Sequence, residues 1–291
     1  MSAVPPLLCG LCDDAALFPP GNAPLPAALT AHARYRDSDF AALVGPLIFP
    51  IPRLAELAAR RPAPVDIVLT APGGPDTVPV ALDQVAGIDG LRLAGLEIAV
   101  PTGQSADEFF VVLEAAASRI GDIDVYVEVP RGDRRAAFLA RLAGSPYAAK
   151  FRTGGVVAGA YPPEWELAAA VHSAVSAAIP FKATAGLHHA VRNTDPDTGF
   201  EQHGFLNLML AAGAAAGGAG AAALEATLAN RDGATLVREL AALSDAEVAA
   251  LRSMFRSFGT CSISDPLTEL VELGLLPAAL RPVSEGSVPC P

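Results

Sequence analysis

Two lysines stand out in a chain that otherwise uses arginine: Lys150 and Lys182 against eighteen arginines. Both lie inside apolar segments, A-A-K-F-R-T and P-F-K-A-T-A. Lysine is normally found on exposed helix faces, a reading that suits these two poorly because arginine already supplies the surface charge. An enclosed amine loses its solvation, and a second cation nearby disfavours its charge further. From an ordinary value near 10.4, a fall of about three units leaves a large fraction neutral at pH 7. Neutral amine is the form that attacks a carbonyl carbon. Arg152, two residues past Lys150, shares its face in extended chain and could add to the field or hold an anion.

Other polar residues sit in comparable places. Glu97 lies in L-E-I-A-V and Glu128 in V-Y-V-E-V, where Tyr126 and Asp124 share its face. G-L-H-H-A-V-R, residues Gly186 to Arg192, suits phosphate or carboxylate binding, with Arg192 as a two-pronged donor. His188 and His189 could bind substrate or move a proton. They could instead ligate a metal with Glu128 or His203, although adjacent residues in extended chain point apart. Cys9 and Cys12 have redox or zinc half-site spacing without a second such pair, so a four-cysteine zinc site is not expected. Asp13-Asp14 reads as a solvated turn or a cap on the first strand. Trp165 reads as a residue packing at the start of its helix, and Asn207 has no assignable role.

These residues need a scaffold, and the apolar pattern supplies one. Strand-length runs recur at Leu43 to Phe49, Asp66 to Ala71, Leu91 to Val100, Asp124 to Val129, Tyr147 to Thr153 and Pro180 to Ala185. Helical segments alternate with them, among them Leu25 to Tyr35, Ser105 to Arg119, Arg131 to Leu142 and Pro162 to Ala177. Weaker strands near Ala15 to Phe18 and Phe258 to Ser262 complete eight units. This predicts an α/β fold, a (β/α)8 TIM barrel of right-handed parallel crossovers, with extra helices between strands 7 and 8. The first strand is not followed by a Gly-x-Gly-x-x-Gly turn, which disfavours an open dinucleotide-binding sheet. Residues 1–276 are expected to form one barrel domain and 277–291 a loose tail.

Around the two lysines the chain resembles class I aldolases of the deoxyribose-phosphate aldolase type. The matching pieces are Lys150 with Thr153-Gly154, Lys182 with Gly186, and F-G-T-C-S from Phe258 to Ser262, in the family's order. The resemblance spans roughly Leu91 to Leu276. It implies that Lys150 is a Schiff-base nucleophile on strand six and that Lys182 on strand seven lowers its pKa. It implies further that Glu97 stands for the family's proton-relay aspartate, with Glu128 a second carboxylate at the barrel mouth. Arg152, Thr153, Gly154, Gly186, His188, His189, Arg192, Gly259 and Ser262 would bind substrate. The chain departs from the family at Phe151 and Arg152, which replace small polar residues, at His188-His189, and in the long insertion before strand eight.

The expected function is an aldolase-like lyase acting on a small phosphorylated or carboxylated carbonyl compound, with no cofactor and no metal. Two alternatives stand beside it: a metal- or acid/base-dependent lyase or isomerase using the Glu and His side chains, and a non-catalytic ligand-binding barrel. Composition narrows the rest. With 291 residues, 52% hydrophobic content and a formal charge of −11, the chain can build a large core and carries no nucleic-acid footprint. Four sparse cysteines and the absence of a signal-like start favour a cytoplasmic setting. The uncharged stretch from Gly204 to Leu224 is long enough to span a membrane, but alanine and glycine contribute little insertion energy, so no membrane partner is expected. The alanine-rich helices between Phe205 and Leu228 could pack on themselves or on a second copy in a homo-oligomer.

Overall fold

All six apolar runs form strands in the computed structural model, which describes residues 3–282. The strands are β1 (Cys12–Asp14), β2 (Val44–Pro50), β3 (Val65–Ala71), β4 (Leu91–Ala99), β5 (Asp124–Glu128), β6 (Ala148–Arg152) and β7 (Phe181–Thr184). A two-stranded hairpin follows, β8 (Asn193–Thr194) and β9 (Glu201–Gln202), and then β10 (Phe255–Thr260). Eight of these close into an all-parallel barrel in the order β1-β10-β7-β6-β5-β4-β3-β2, with helices between the strands. This is the (β/α)8 barrel expected.

Alternation along the strands explains why apolar segments carry lysines. Lys150 and Lys182 are paired neighbours on β6 and β7. With their side chains inside, Phe151 and Phe181 point outward beneath the helices. There Phe151, Phe181 and Phe255 form a continuous row, with ring centroids 5.4 and 5.3 Å apart. Each such aromatic pair contributes about 0.5–1.5 kcal/mol beyond its burial.

Helices start where capping chemistry allows. Ser105 with Glu108 and Ser244 with Glu247 form reciprocal capping boxes at Ala106–Ala115 and Asp245–Met254. The insertion between β7 and β10 holds four helices, Phe205–Ala216, Ala221–Ala229, Gly233–Ala241 and Asp245–Met254. The first is buried from Phe205 through Ala212, so its uncharged character reflects protein on several sides. Among the described residues no helix is long and apolar enough to cross a membrane. Asn207 ties this insertion together: its Oδ1 accepts from the Arg192 backbone N–H, and its Nδ2 donates to the Thr227 and Asn230 carbonyls.

Three expectations need correction. The first strand is Cys12–Asp14, not Ala15 to Phe18, and Asp13 and Asp14 are buried rather than solvated. A strand of three residues with two acidic side chains leaves no apolar run to detect. Trp165 lies on Glu164–Ser176 but is 60% exposed, because Leu167 and Ala168 take the buried positions. Packing also continues past Pro277, where Leu280 is buried; residues 283–291 of the expected tail lie outside the described residues.

Candidate active site

Strand register brings the charged residues to one level. Glu128 on β5 pairs with Lys150 on β6, and Lys150 pairs with Lys182 on β7. Glu97 on β4 lies one step lower, level with Tyr126, and its longer side chain reaches between the amines. Its Oε2 is 2.6 Å from Lys150 Nζ and its Oε1 is 2.5 Å from Lys182 Nζ. Glu128 Oε2 lies 3.0 Å from Lys150 Nζ, and Asp13 Oδ2 accepts from Lys182 Nζ at 2.5 Å. Ser257 on β10 donates to the same Asp13 oxygen at 2.6 Å. Asp13, Lys182, Glu97, Lys150 and Glu128 thus form an unbroken chain of alternating charge across the barrel.

Asp13, Glu97, Lys182 and Lys150 are all buried, so each charge depends on its partners rather than on water. Burial alone would lower the pKa of Lys150, but Glu97 and Glu128 outweigh it and hold the amine above its ordinary value. Burial likewise opposes the Lys182 charge, and Asp13 and Glu97 drive its pKa well upward. This corrects the expectation that Lys182 depresses Lys150. A carboxylate stands between the two cations, and both are held protonated. Tyr126 closes the far side, its ring centroid 5.2 Å from Lys182 Nζ and its hydroxyl pushed up to about 12 by burial.

Glu97 is lowered from 4.5 to about 2: burial raises it, and the two ammonium groups more than reverse that. Its depressed value stabilises the fold fully above pH 4.5, and that stability is lost as pH falls through 2. A shift of that size is worth about 3 kcal/mol. Burial raises the Asp13 carboxyl, which works in the opposite direction. The expected net result is a melting temperature that falls by several degrees between pH 5 and pH 2.5. In Glu97→Gln the fall should be shallower; an equal slope in the two proteins would show that Glu97 does not govern it.

Gly45 on β2 makes room for this network. A Cβ there would meet Asp13 Oδ1 at 2.1 Å, and Asp13 cannot swing away because Lys182 and Ser257 hold it. Gly45→Ala is expected to cost about 1–3 kcal/mol, as overpacked cores do. Urea unfolding measures it, and a change below about 0.5 kcal/mol would mean that the carboxylate relaxes freely.

Above the network opens a cavity of about 680 Å³ at the C-terminal ends of the strands. Lys150, Glu97, Glu128 and Arg152 line it, whereas Lys182 and Asp13 lie beneath. Arg152 Nη1 is 3.9 Å from Glu128 and is the one of these groups that is half exposed. Gly186, His188, His189 and Gly259 also line the cavity. No protein-family model, curated protein or solved structure matches the chain. The cavity itself therefore has to supply the functional reading.

Several expected substrate contacts are placed elsewhere. Arg192 is buried against Glu164 and Glu201, at 2.5 and 3.1 Å, and does not reach the cavity. Two carboxylates, Glu164 from a helix 28 positions earlier and Glu201 from the hairpin that follows, claim its guanidinium. Thr153 is fully buried and donates to the Ala185 carbonyl at 2.7 Å, binding the β6 and β7 loops together. Ser262 stays in its own turn, its oxygen accepting from Thr260 and its hydroxyl from the Asp265 N–H. Gly154 packs against Gly186, and a Cβ on either would strike the Tyr161 ring at 2.5 or 2.7 Å. These glycines therefore act by letting Tyr161 sit in the cavity wall.

His203 Nε2 donates to the Pro162 carbonyl at 2.7 Å, and the ring is fully buried away from the cavity. Among the described residues no three His, Cys, Asp or Glu side chains gather where a metal could be held. The sequence leaves Asp13, Ser257, Tyr161, Gln202 and Glu269 unmarked as functional: Asp13 and Ser257 join the network, Tyr161 and Gln202 line the cavity, and Glu269 touches His189. Asp13 and Glu269 leave no usable trace because their partners lie 169 and 80 positions away.

Proposed function

We propose that the protein is an aldolase-like lyase that forms a Schiff base between Lys150 and a small carbonyl compound. What supports this reading is that Lys150 is the one lysine amine on the cavity floor, with a carboxylate on each side at 2.6 and 3.0 Å. Lys182 and Glu97 form a fixed ion pair beneath it; Glu97, far below the usual carboxylate range, keeps its charge. Glu128 borders the open cavity and is the group that exchanges protons. It takes one proton from the Lys150 ammonium as substrate enters. The amine adds to the carbonyl carbon, the oxygen is protonated, and water leaves to give the iminium. That iminium accepts the electron pair of the adjacent carbon–carbon bond as it breaks. Arg152 at the rim binds an anionic end of the substrate.

Borohydride reduction in the presence of glyceraldehyde, pyruvate and glyoxylate tests this. Intact mass and peptide mapping should place an adduct on Lys150, and Lys150→Met should give none. A wild-type protein that is unmodified across the panel would sink the proposal. A second reading is favoured by the carboxylates that keep both amines charged: Lys150 stays an ammonium, polarises a carbonyl, and Glu128 removes the neighbouring proton, as in an isomerase. Turnover without a reducible adduct would select it.

A further inference from the structure

The wall of the cavity above the lysine network carries a second titratable pair. Glu269, on the helix Ser264–Glu272, lies with Oε1 2.6 Å from His189 Nδ1. Its Oε2 accepts the backbone N–H of Ala190. Both oxygens of one carboxylate are thus committed to consecutive residues of the β7 loop, which fixes the ring and makes Nδ1 the donor side. Nε2 is left as an acceptor. The loop can present this ring because Ala185 and Gly186 adopt left-handed conformations, φ 65° and 72°. His189 lines the cavity with about 40% of its side chain exposed. Its neighbour is occupied otherwise, His188 Nδ1 lying 3.4 Å from Cys261 Sγ.

The charged groups around His189 are Glu269 and Asp265 from the final helix, Asp195 from the hairpin, and His188 from its own loop. Asp195 is engaged already: its Oδ1 accepts from Asp197 and Thr198, and its Oδ2 from Gln202. Glu269 is the only one of these carboxylates bonded to the ring. A base oriented by a carboxylate and facing a substrate cavity is the arrangement that general acid–base chemistry needs.

We propose that His189, oriented by Glu269, is a catalytic acid–base group acting on the β-hydroxyl of the compound that such a lyase cleaves, at the substrate end remote from Lys150. This rests on the Schiff-base reading of Lys150. In cleavage, His189 Nε2 takes the β-hydroxyl proton and the oxygen's electrons form a new carbonyl. The bond between the α- and β-carbons breaks, and its pair enters the Lys150 iminium to give an enamine. In condensation the same atoms run in reverse, and the His189 imidazolium protonates the new alkoxide.

The two halves can be measured apart. Enamine formation at Lys150 exchanges the α-protons of propanal, pyruvate or dihydroxyacetone with D2O, followed by proton NMR. Condensation is measured with the same donors and glycolaldehyde as acceptor. His189→Asn should keep α-exchange within about threefold of wild type while condensation falls by about 100-fold or more. Glu269→Gln should move the pH profile of condensation to lower pH, since Glu269 raises the His189 pKa. Condensation at the wild-type rate in His189→Asn overturns the proposal. So does an equal loss of exchange and condensation, which a mere strap between loop and helix would cause, and so does a wild-type protein that exchanges but never condenses. Failure of borohydride to trap Lys150 instead overturns the Schiff-base reading, and the condensation loss in His189→Asn still reports on the histidine.

Discussion

Replacing Lys182 by alanine should cost about 3–5 kcal/mol of stability, the typical effect of removing one partner from a buried ion pair. Lys182 is 1% exposed and holds Asp13 and Glu97, both almost fully buried, at 2.5 Å each. Without it two carboxylates face each other in a dry interior with one remaining cation, Lys150. The charge of Lys182 opposes burial and persists because of those partners, so its pKa is raised. Its contribution is therefore full at neutral pH and fades only as pH climbs past the ordinary lysine value toward the raised one. Urea unfolding at pH 7 measures the loss. The double variant Asp13→Asn with Lys182→Met should recover part of it, because one of the stranded charges is removed together with its partner. A single variant within 1 kcal/mol of wild type would mean that water or a rearranged side chain solvates the carboxylates.

Imine formation at Lys150 should show an equally large effect of pH. The resting amine is held protonated against burial by Glu97 and Glu128. The rate of borohydride trapping should therefore rise about tenfold per pH unit from pH 7 toward pH 10, as expected when one proton must leave first. Glu128→Gln removes one of the two carboxylates that raise the amine, which displaces the limb toward lower pH. Because Glu128 is also the proton acceptor, the plateau of the variant's profile should fall below that of wild type while the limb moves. A pH-independent rate in wild type would contradict the protonated resting state.

The scaffold was legible because parallel barrel strands buried on both faces leave long apolar runs, and six of eight did. The two weak strands failed at their boundaries for different reasons. β1 is three residues long and two of them are acidic, and β10 begins at Phe255, three residues before the small-residue turn from Phe258 to Ser262. The lysines could be found by counting, and Glu97 and Glu128 by their placement in strands. Asp13 could not, because the pairing spans 169 positions and depends on ring closure. Arg192 was misread for the complementary reason. A loop arginine looks free in sequence until the Glu164 helix and the Glu201 hairpin fold back on it. Glu269 belongs to the same class, meeting His189 across 80 residues.

The alternating chain of Asp13, Lys182, Glu97, Lys150 and Glu128 carries three negative and two positive charges. An iminium on Lys150 would bear one positive charge at the same nitrogen as the resting ammonium. The enzyme–substrate adduct and the empty protein would then be electrostatic equivalents. Glu97 and Glu128 would face the same charge at that nitrogen before and after the covalent bond forms. Folding would then have set in advance the field that such an intermediate needs.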